Sequence, residues 1–430
     1  MKNKKKAVVA IIFAAVILIV LIGIFVILPI LLEANKNIQD SAGIHVNHIE
    51  GLSPDFIMGA DVSMLKQIEI SGGKYYVNGI EEDCLKILKD HGVNWIRLRI
   101  WNDPTDENGE YLGGGNNDLE KTVEIATRAK SLGHKVLLDF HYSDWWADPG
   151  KQNMPKVWVG LDSEELNQAI YDYTAEVIQA LVKARAMPDM VQIGNEINSG
   201  MLWPAGQTVT QGGEKVGGYD GLADLLKSAI QAVRDNDPKN DNPRKRTRII
   251  IHLADGGNND LYHTVFDALT ERNVDFDVIG LSYYSYWHGP MEQFISNMND
   301  ISVRYQKDVV VAEAAYAYSL DDADGYGNLF GGDAQISGGY KATVQGQSTA
   351  LRDVIAAVSQ VPDNRGLGIF YWEPDWFAIE GAGWKTGEGN AWDNQAMFDS
   401  NGNALPSLNV FNLVRPKRDS VFIPATITET

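Results

Sequence analysis

Two glutamates follow apolar runs that are typical of buried strands. Glu196 ends the apolar part of MVQIGNEINSG (190–200), and Glu313 ends the apolar part of VVVAEAAY (309–316). An isolated buried carboxylate is so unfavourable that its pKa usually shifts instead. Two carboxyl groups with different pKa values can divide the work of catalysis, one donating a proton and the other attacking carbon or activating water. Singly, each glutamate is more typical of a helix cap or an ion pair, so the fold must bring them together.

Eight short apolar runs alternate with amphipathic, helix-like stretches from residue 55 onward. Such alternation is typical of a parallel sheet covered by helices. Eight units favour a single (β/α)8 TIM barrel with long βα loops over a doubly wound open sheet. The predicted strands are 55–63, 94–101, 135–143, 190–198, 248–255, 276–284, 308–316 and 366–374.

The residues that end these runs favour the barrel, because nearly every strand finishes on polar or aromatic side chains. Catalytic groups of such barrels lie at the C-terminal ends of the strands, where several strands converge. A mouth that combines paired carboxylates with Trp, Tyr, His and Asn indicates glycoside hydrolysis. The strand-end residues are Asp61, Arg99, Asp139, His141, Asn195, Glu196, His252, Asp255, Tyr283, Tyr284, Glu313, Trp372 and Glu373.

The N-terminus carries four lysines in its first six residues, followed by 26 uncharged residues, 7–32. This run exceeds the apolar region of a signal peptide and is long enough to span a bilayer. We therefore predict a signal-anchor helix over 1–32, a tether over 33–54, a catalytic domain over 55–415 and a tail over 416–430. The catalytic domain is then extracellular and touches the membrane only through this helix; a cleaved signal peptide, which would give a secreted enzyme, is the alternative.

The charge of the chain argues against one class of ligand, and its cysteine content excludes disulfide bonds within the chain. The formal net charge of −20 argues against nucleic acid, which needs basic patches. The one cysteine, Cys84, rules out an intrachain disulfide; its helical surroundings predict a buried, inert thiol.

Longer motifs carry a specific resemblance over about residues 50–412. Together they are similar to glycoside hydrolase family 53, the arabinogalactan endo-β-1,4-galactanases, which use a (β/α)8 barrel. The motifs are GADVS (59–63), WIRLRIWNDP (95–104), LLDFHYSDWWADPGKQNMPKVW (137–158), GNEINSGMLWP (194–204), IGLSYYSYWHG (279–289), VVVAEAAYAY (309–318) and GIFYWEPDW (368–376).

The resemblance implies a retaining double displacement on β-1,4-galactan, the side chain of pectin known as type I arabinogalactan. Separately, we expect the enzyme to be a monomer. Glu196 would be the acid/base, Glu313 the nucleophile and Asn195 the partner of the sugar 2-hydroxyl. Of two candidate arginines we favour Arg99 over Arg97 as the cation that keeps the nucleophile ionised. The substrate-binding residues predicted are Asn195 and Arg99 and, in addition, His141, Tyr284, His288, Trp372 and Trp384. Other loop tryptophans that could stack on sugars or pack the loops are Trp145, Trp146, Trp203, Trp287 and Trp376.

The loop DDADGYGN (321–328) places oxygen donors among glycines, which suits Ca²⁺ but also describes a solvated acidic turn. The resemblance implies a structural calcium ion that joins this loop to the eighth βα loop. The ligands implied are Asp322, Asp324, Tyr326 through its carbonyl, Asn328, Asn390 and Asp393.

Two other functions remain open at this stage. One is a related retaining β-glycanase, such as a cellulase or mannanase, because the catalytic pair is common to both. The other is a non-catalytic carbohydrate-binding surface protein, although the intact Glu196, Glu313 and Asn195 argue against it.

Overall fold

The computed structural model describes residues 43–209 and 216–416. The predicted signal-anchor (1–32), residues 33–42 of the tether and residues 417–430 of the tail lie outside the described residues. Among the described residues, no helix combines the length and the apolar character needed to cross a bilayer.

The chain divides into two compact units, Met1–Asn47 and His48–Thr430, and the barrel belongs to the second. Residues 48–54, which the sequence analysis assigned to the tether, are part of this second unit. The backbone amide of Ile49 donates to the carbonyl of Val414 over 2.8 Å, and Leu52 is buried. The folded domain therefore begins before the predicted boundary at residue 55.

Eight parallel strands close into a barrel in the order in which they occur in the chain, as predicted. The barrel closes where the first strand pairs with the last, with Ile57 opposite Gly368 and Asp61 opposite Trp372. The strands are β1 (Ile57–Asp61), β2 (Trp95–Ile100), β3 (Lys135–Phe140), β4 (Met190–Ile193), β5 (Arg248–Leu253), β6 (Val278–Ser282), β7 (Asp308–Ala314) and β8 (Gly366–Trp372).

Helices follow the strands, and several begin at a residue whose side chain caps the first turn. Asp162 caps the longest of them in a capping box with Glu165. The described helices are α1 (Leu65–Ile70), α2 (Cys84–Asp90), α3 (Leu119–Ser131), α4 (Ser163–Lys183), α5 (Gly218–Asn236), α6 (Asn259–Glu271), α7 (Met291–Tyr305), α8 (Gly332–Gly338), α9 (Val344–Ser359) and α10 (Val410–Leu413). Cys84 is a buried free thiol, as predicted.

The barrel interior is divided into an apolar floor and a polar upper part. The floor takes one buried apolar side chain from each strand: Ile57, Trp95, Leu137, Met190, Ile250, Val278, Val310 and Phe370. Gly59 on β1 makes room for Phe370, because a Cβ there would lie 2.2 Å from its ring. Nearer the mouth the buried interior residues become polar and charged: Asp61, Arg97, Asp139, Gln192, His252 and Glu313.

Candidate active site

Glu196 reaches the mouth through a left-handed turn at the end of β4. Gly194 has φ of +81° and Glu196 itself has φ of +48°, a conformation that non-glycine residues adopt at a cost of about 1–3 kcal/mol, mostly at functional sites. The turn is held from the neighbouring loop, where Gln152 donates from Nε2 to the carbonyl of Asn195 over 2.8 Å. The surrounding structure thus stabilises a strained backbone that turns Glu196 into the mouth.

The Glu196 carboxyl group has a neutral hydrogen-bond partner, and no cationic side chain of residues 43–209 or 216–416 is in contact with it. Its Oε1 accepts a hydrogen bond from the Ser282 hydroxyl at the end of β6, over 2.6 Å. Burial raises the pKa of Glu196 well above its usual value, and the nearby charge of Glu313 raises it further. Glu196 is therefore suited to carry a proton near neutral pH.

Glu313 lies within β7 and accepts from a cation. Its Oε1 accepts from Arg97 Nη2 over 2.9 Å, and its Oε2 accepts from the Tyr284 hydroxyl over 2.9 Å. Burial raises the pKa of Glu313 too, but Arg97 and the Tyr284 hydrogen bond oppose that rise. Of the two carboxyl groups, Glu313 is consequently the one held ionised.

Arg97, rather than Arg99, is the arginine that contacts the predicted nucleophile, so the sequence-based choice between them was wrong. Arg97 binds Asp61 over 2.6 Å and Asp139 over 2.8 Å in addition to Glu313. Arg99 instead pairs with Glu373 at the end of β8 and donates to the carbonyl of Gly114.

The error has a geometric cause. Both arginines face the barrel interior, two residues apart on β2, but Glu313 lies inside β7 rather than beyond its end, at the depth of Arg97. Arg99 lies nearer the mouth, with its guanidinium 4.2 Å from the Trp146 ring centroid, and it is 1% exposed. It supports a tryptophan of the cleft and is not itself among the cleft-lining residues, which also corrects the prediction that it binds substrate.

The two glutamates converge closely. A carboxylate oxygen of Glu196, one of Glu313 and a ring nitrogen of His252 all lie within 4.8 Å of one another. Asn195 lies beside them: its Oδ1 accepts from Arg97 over 3.0 Å, and its Nδ2 donates one hydrogen to the carbonyl of Ala147 over 2.9 Å. The second Nδ2 hydrogen of Asn195 remains for another partner.

A cleft of about 350 Å³ opens above this group. Six of the predicted substrate-binding residues line it, namely Asn195, His141, Tyr284, His288, Trp372 and Trp384. The sequence analysis missed Trp392, which also lines the cleft and packs edge-on against Trp372, with ring centroids 4.6 Å apart. Its place in AWDN of the eighth loop resembles that of many packing tryptophans, so no signal in the sequence distinguished it.

His141 lines the cleft with both of its ring nitrogens already engaged. Nδ1 lies 3.1 Å from Trp101 Nε1 and 3.2 Å from the amide of Ala147, both of which are donors. Nε2 lies 3.2 Å from Asp139. His141 therefore lines the cleft and orders the loop around Ala147, and its predicted contact with substrate stays a prediction.

The loop tryptophans divide into packed and open ones. Trp146 stacks on Trp384 with centroids 4.8 Å apart, and Trp384 stacks on Trp376 at 5.4 Å. Trp376 is fully buried and Trp146 is 6% exposed, so both act mainly as packing. Trp287 is 49% exposed and also lines the cleft, which makes it the most open aromatic surface there.

Comparison with known proteins agrees with this geometry. A model of glycosyl hydrolase family 53 matches residues 57–411. The chain belongs to glycosyl hydrolase family 53. An endo-β-1,4-galactanase of Bacillus subtilis (strain 168) is 38% identical over 412 residues, covering 88% of this chain and 91% of the relative. An arabinogalactan endo-β-1,4-galactanase of Cellvibrio japonicus (strain Ueda107) is 34% identical, covering 83% of this chain and 90% of the relative.

Solved structures give the same assignment. The family 53 catalytic domain of Ignisphaera aggregans is 50% identical with a TM-score of 0.82, covering 87% of this chain and 100% of that domain. A fungal β-1,4-galactanase structure is 31% identical with a TM-score of 0.68, covering 82% of this chain and 98% of that one. The resemblance inferred from the motifs is confirmed, and this family 53 protein is a glycoside hydrolase.

A second cluster of carboxylates lies in the loops after β7 and β8 of this family 53 barrel. Oxygens of Asp322, Asp324 and Asp393 lie within 4.8 Å of one another. Burial raises the pKa of Asp393, and the charges of Asp324 and Asp322 raise it further. Asp393 Oδ1 and Asn328 Oδ1 are buried and have no hydrogen-bond partner among the described residues. An oxygen-only donor set with unused acceptors and repelling charges fits Ca²⁺.

Two residues of the predicted calcium set have other roles for their side chains. Asn390 accepts from the amide of Trp392 over 2.8 Å and donates to the carbonyl of Trp376 over 2.9 Å. Its backbone amide donates to Asp324 over 2.6 Å. Asn390 thus supports the cluster through hydrogen bonds, while ligation by its side-chain oxygen stays a prediction. The Tyr326 hydroxyl donates to Glu388 over 2.6 Å, while ligation by its carbonyl stays a prediction.

Proposed function

We propose that this family 53 protein is a retaining endo-β-1,4-galactanase that hydrolyses galactan side chains of pectin. The observation that supports this most is the pair formed by Glu196 and Glu313. Their carboxylate oxygens lie within 4.8 Å of each other, one beside a hydroxyl and the other beside Arg97. Retaining glycosidases hold their two carboxyl groups about 5–5.5 Å apart, whereas inverting enzymes leave room for a water between them.

In the first step, Glu313 attacks the anomeric carbon of the galactose at the cleavage site. A carbon–oxygen bond to Glu313 forms while the glycosidic bond breaks, and the proton of Glu196 passes to the leaving oxygen. Arg97 and Tyr284 fix the orientation of the attacking carboxylate. The free Nδ2 hydrogen of Asn195 is placed to bind the sugar 2-hydroxyl, an interaction that strengthens as positive charge develops on the ring.

In the second step, Glu196 is ionised and accepts a proton from water as the water attacks the same anomeric carbon. The bond to Glu313 breaks, and the product leaves with its original β configuration. The same glutamate alternates between acid and base, which suits a carboxyl group whose pKa is raised by burial and by its neighbour's charge.

The choice of galactan is supported by relatives that are named for this activity and that align over most of their length. Galactose has an axial 4-hydroxyl, so a β-1,4-galactan chain is more curved than cellulose and fits a shaped cleft. Digestion of linear β-1,4-galactan by the full-length chain tests the proposal. Release of short galacto-oligosaccharides is expected; hydrolysis of cellulose or mannan without hydrolysis of galactan would assign the protein to the related β-glycanases.

The proposal includes a structural calcium ion. Asp322, Asp324, Asn328 and Asp393 would hold it, with the Tyr326 carbonyl and Asn390 as predicted from the resemblance. When bound, the ion would offset the mutual repulsion of the three carboxylates and join the seventh loop to the eighth. Its role is to stabilise the loops near the cleft.

The location and assembly of the protein are also part of the proposal. The run over residues 7–32 supports an extracellular, membrane-anchored enzyme, or a secreted one after cleavage. We expect a monomer. Membrane fractionation with protease treatment of intact cells tests the first point, and the mass of the detergent-solubilised chain by light scattering tests the second.

A further inference from the structure

Ser282 and His252 form a hydrogen-bonded chain behind the acid/base Glu196. The Ser282 hydroxyl lies 2.6 Å from Glu196 Oε1 and 2.9 Å from His252 Nε2. Ser282 and His252 are fully buried, at the ends of the adjacent strands β6 and β5. The chain continues at His252 Nδ1, which lies 3.0 Å from Gln192 Nε2.

The directions of these hydrogen bonds follow from the groups at the two ends. A hydroxyl has a single hydrogen, and the carboxylate is the stronger acceptor at the shorter distance, so Ser282 donates to Glu196 Oε1. The Ser282 oxygen can then only accept from His252, which places the imidazole hydrogen on Nε2. His252 Nδ1 is left as an acceptor for the Gln192 amide, which can only donate.

His252 keeps one hydrogen throughout, because burial lowers the pKa of its imidazole well below the usual value and the charge of Arg97 lowers it further. The Oδ1 of Asn195 lies 3.1 Å from His252 Nδ1, and it already accepts from Arg97. With the hydrogen on Nε2 both ring nitrogens are paired. The opposite tautomer, whose Nδ1 hydrogen would point to Asn195 Oδ1, would need the single Ser282 hydrogen at Nε2 and so remove it from the Glu196 carboxylate. Because the Nε2 hydrogen of His252 points at the Ser282 oxygen, the Ser282 hydrogen cannot turn toward His252 and stays directed at Glu196.

The consequence concerns the two oxygens of Glu196. Oε1 always receives the Ser282 hydrogen, and a carboxyl oxygen that accepts a strong hydrogen bond is a poor site for the acid proton. Oε2 has no hydrogen-bond partner among the described residues, and Glu196 lines the cleft. We propose that Ser282 and His252 are positioning residues that keep the catalytic proton of Glu196 on Oε2, the oxygen available to the substrate. This inference rests on the proposed role of Glu196 as the acid/base.

The other titratable groups near Glu196 and His252 do not determine the direction of the Ser282 hydrogen bond. The groups that act on Glu196 besides Ser282 are Glu313, Asp148, Arg97, and the phenols Tyr262 and Tyr284. The groups that act on His252 are Arg97, His141 and His288. None of them is removed by substitution of Ser282, so a change of pH profile in a Ser282 variant reports the hydroxyl.

The sign of a pKa shift tests the proposal. Because a donated hydrogen bond favours the ionised carboxylate, Ser282→Ala should raise the pKa of Glu196 and move the basic limb of the kcat/KM profile up, on the order of one pH unit. If the hydroxyl instead accepted a hydrogen from Glu196, the limb would move down. A downward shift, or an unchanged limb, would overturn the proposal.

Two further readouts separate positioning from a merely structural effect. Ser282→Ala should slow hydrolysis of galactan more than that of an aryl β-galactobioside whose leaving group needs no protonation; equal losses would contradict the proposal. Ser282→Thr keeps the hydroxyl and should retain the parent limb. His252→Gln supplies an amide hydrogen in place of Nε2–H and should also retain the parent basic limb. His252→Met supplies no hydrogen and should not retain that limb. These two variants test the proposal if Ser282→Ala fails to fold.

The inference and the proposed function can fail separately. If the full-length parent does not hydrolyse galactan, the proposed function fails. The pKa of Glu196 in parent and Ser282→Ala proteins, measured by NMR of carboxyl-labelled glutamate, still gives the sign of the Ser282 effect. An active parent with a Glu196 pKa that Ser282→Ala leaves unchanged would overturn the inference alone.

Discussion

Arg97 donates to Glu313 Oε1 over 2.9 Å, while no cationic side chain contacts Glu196 among the described residues. This difference suits the half-buried Glu196 and the buried Glu313 to opposite tasks. The Arg97 guanidinium favours the ionised form of Glu313. Burial and the negative charge of Glu313 favour the protonated form of Glu196. The predictions below test this difference and the loops that surround it.

Replacing Arg97 by lysine should move the acidic limb of the kcat/KM profile to higher pH. Glu313 must be ionised to attack, Arg97 opposes the rise in its pKa, and a lysine cannot keep the same set of hydrogen bonds. We expect kcat to fall at least about 10-fold at neutral pH. Arg99→Lys is the matched control and should leave the acidic limb in place; a shift of that limb in Arg99→Lys alone would restore the original assignment.

Tyr284→Phe should lower kcat with a smaller change in KM. The phenol donates to Glu313 Oε2 over 2.9 Å, so its loss frees the nucleophile to rotate and raises its pKa. A loss of about 10- to 100-fold in kcat is expected, equivalent to about 1.4–2.7 kcal/mol of barrier. Steady-state kinetics at several pH values measure it. A variant with parental kcat and an unshifted acidic limb would contradict this role.

Chelation should lower the melting temperature of the protein. If Ca²⁺ holds Asp322, Asp324 and Asp393 together, its removal restores their repulsion, and a decrease of about 3–8 °C is expected for a tightly bound ion. Differential scanning calorimetry with and without chelator measures this. No change in melting temperature would remove the calcium site from the account.

Asp393→Asn should make the melting temperature less sensitive to chelator. In the presence of chelator the variant should melt at a higher temperature than the parent. The charges of Asp324 and Asp322, which raise the pKa of Asp393, would no longer repel a negative charge at position 393. With calcium present it should melt below the parent. Asp321→Asn alters an exposed neighbour outside the cluster and should behave as the parent in both conditions; identical behaviour of both variants would contradict the site.

Trp287→Ala should raise KM for galactan without lowering the melting temperature. The ring is 49% exposed and lines the cleft, so its loss removes a stacking surface worth about 1 kcal/mol, or about 5-fold in affinity. The fully buried Trp376 provides the contrast, since Trp376→Phe should lower the melting temperature. If Trp287→Ala lowers stability and leaves KM unchanged, the tryptophan is packing.

The strands and the convergence of Glu196 and Glu313 could be predicted from the sequence because each depends on local pattern. Apolar runs mark the barrel strands, and Glu196 and Glu313 end two of them. The choice between Arg97 and Arg99 could not be made this way. Residues two apart on a strand face the same side, so only the depth of the partner within the closed barrel separates them.

The hydrogen bonds that Ser282 and His252 make behind Glu196 could not be predicted from the sequence either. Ser282 and His252 lie 30 residues apart and end different strands, and nothing in either local pattern indicates that they touch. The side-chain partners of Asn390, which the resemblance implies as a calcium ligand, could not be read from the sequence either. Its hydrogen bonds to Trp392 and Trp376 appear only once the eighth loop is folded.

The most direct test of the central claim is the anomeric configuration of the first product. Proton NMR of galactan during digestion by the full-length chain follows the newly formed reducing ends before they equilibrate. A two-step reaction through Glu313 predicts that the β anomer appears first and that the α anomer grows in later by mutarotation. Initial appearance of the α anomer would contradict the roles assigned to Glu196 and Glu313.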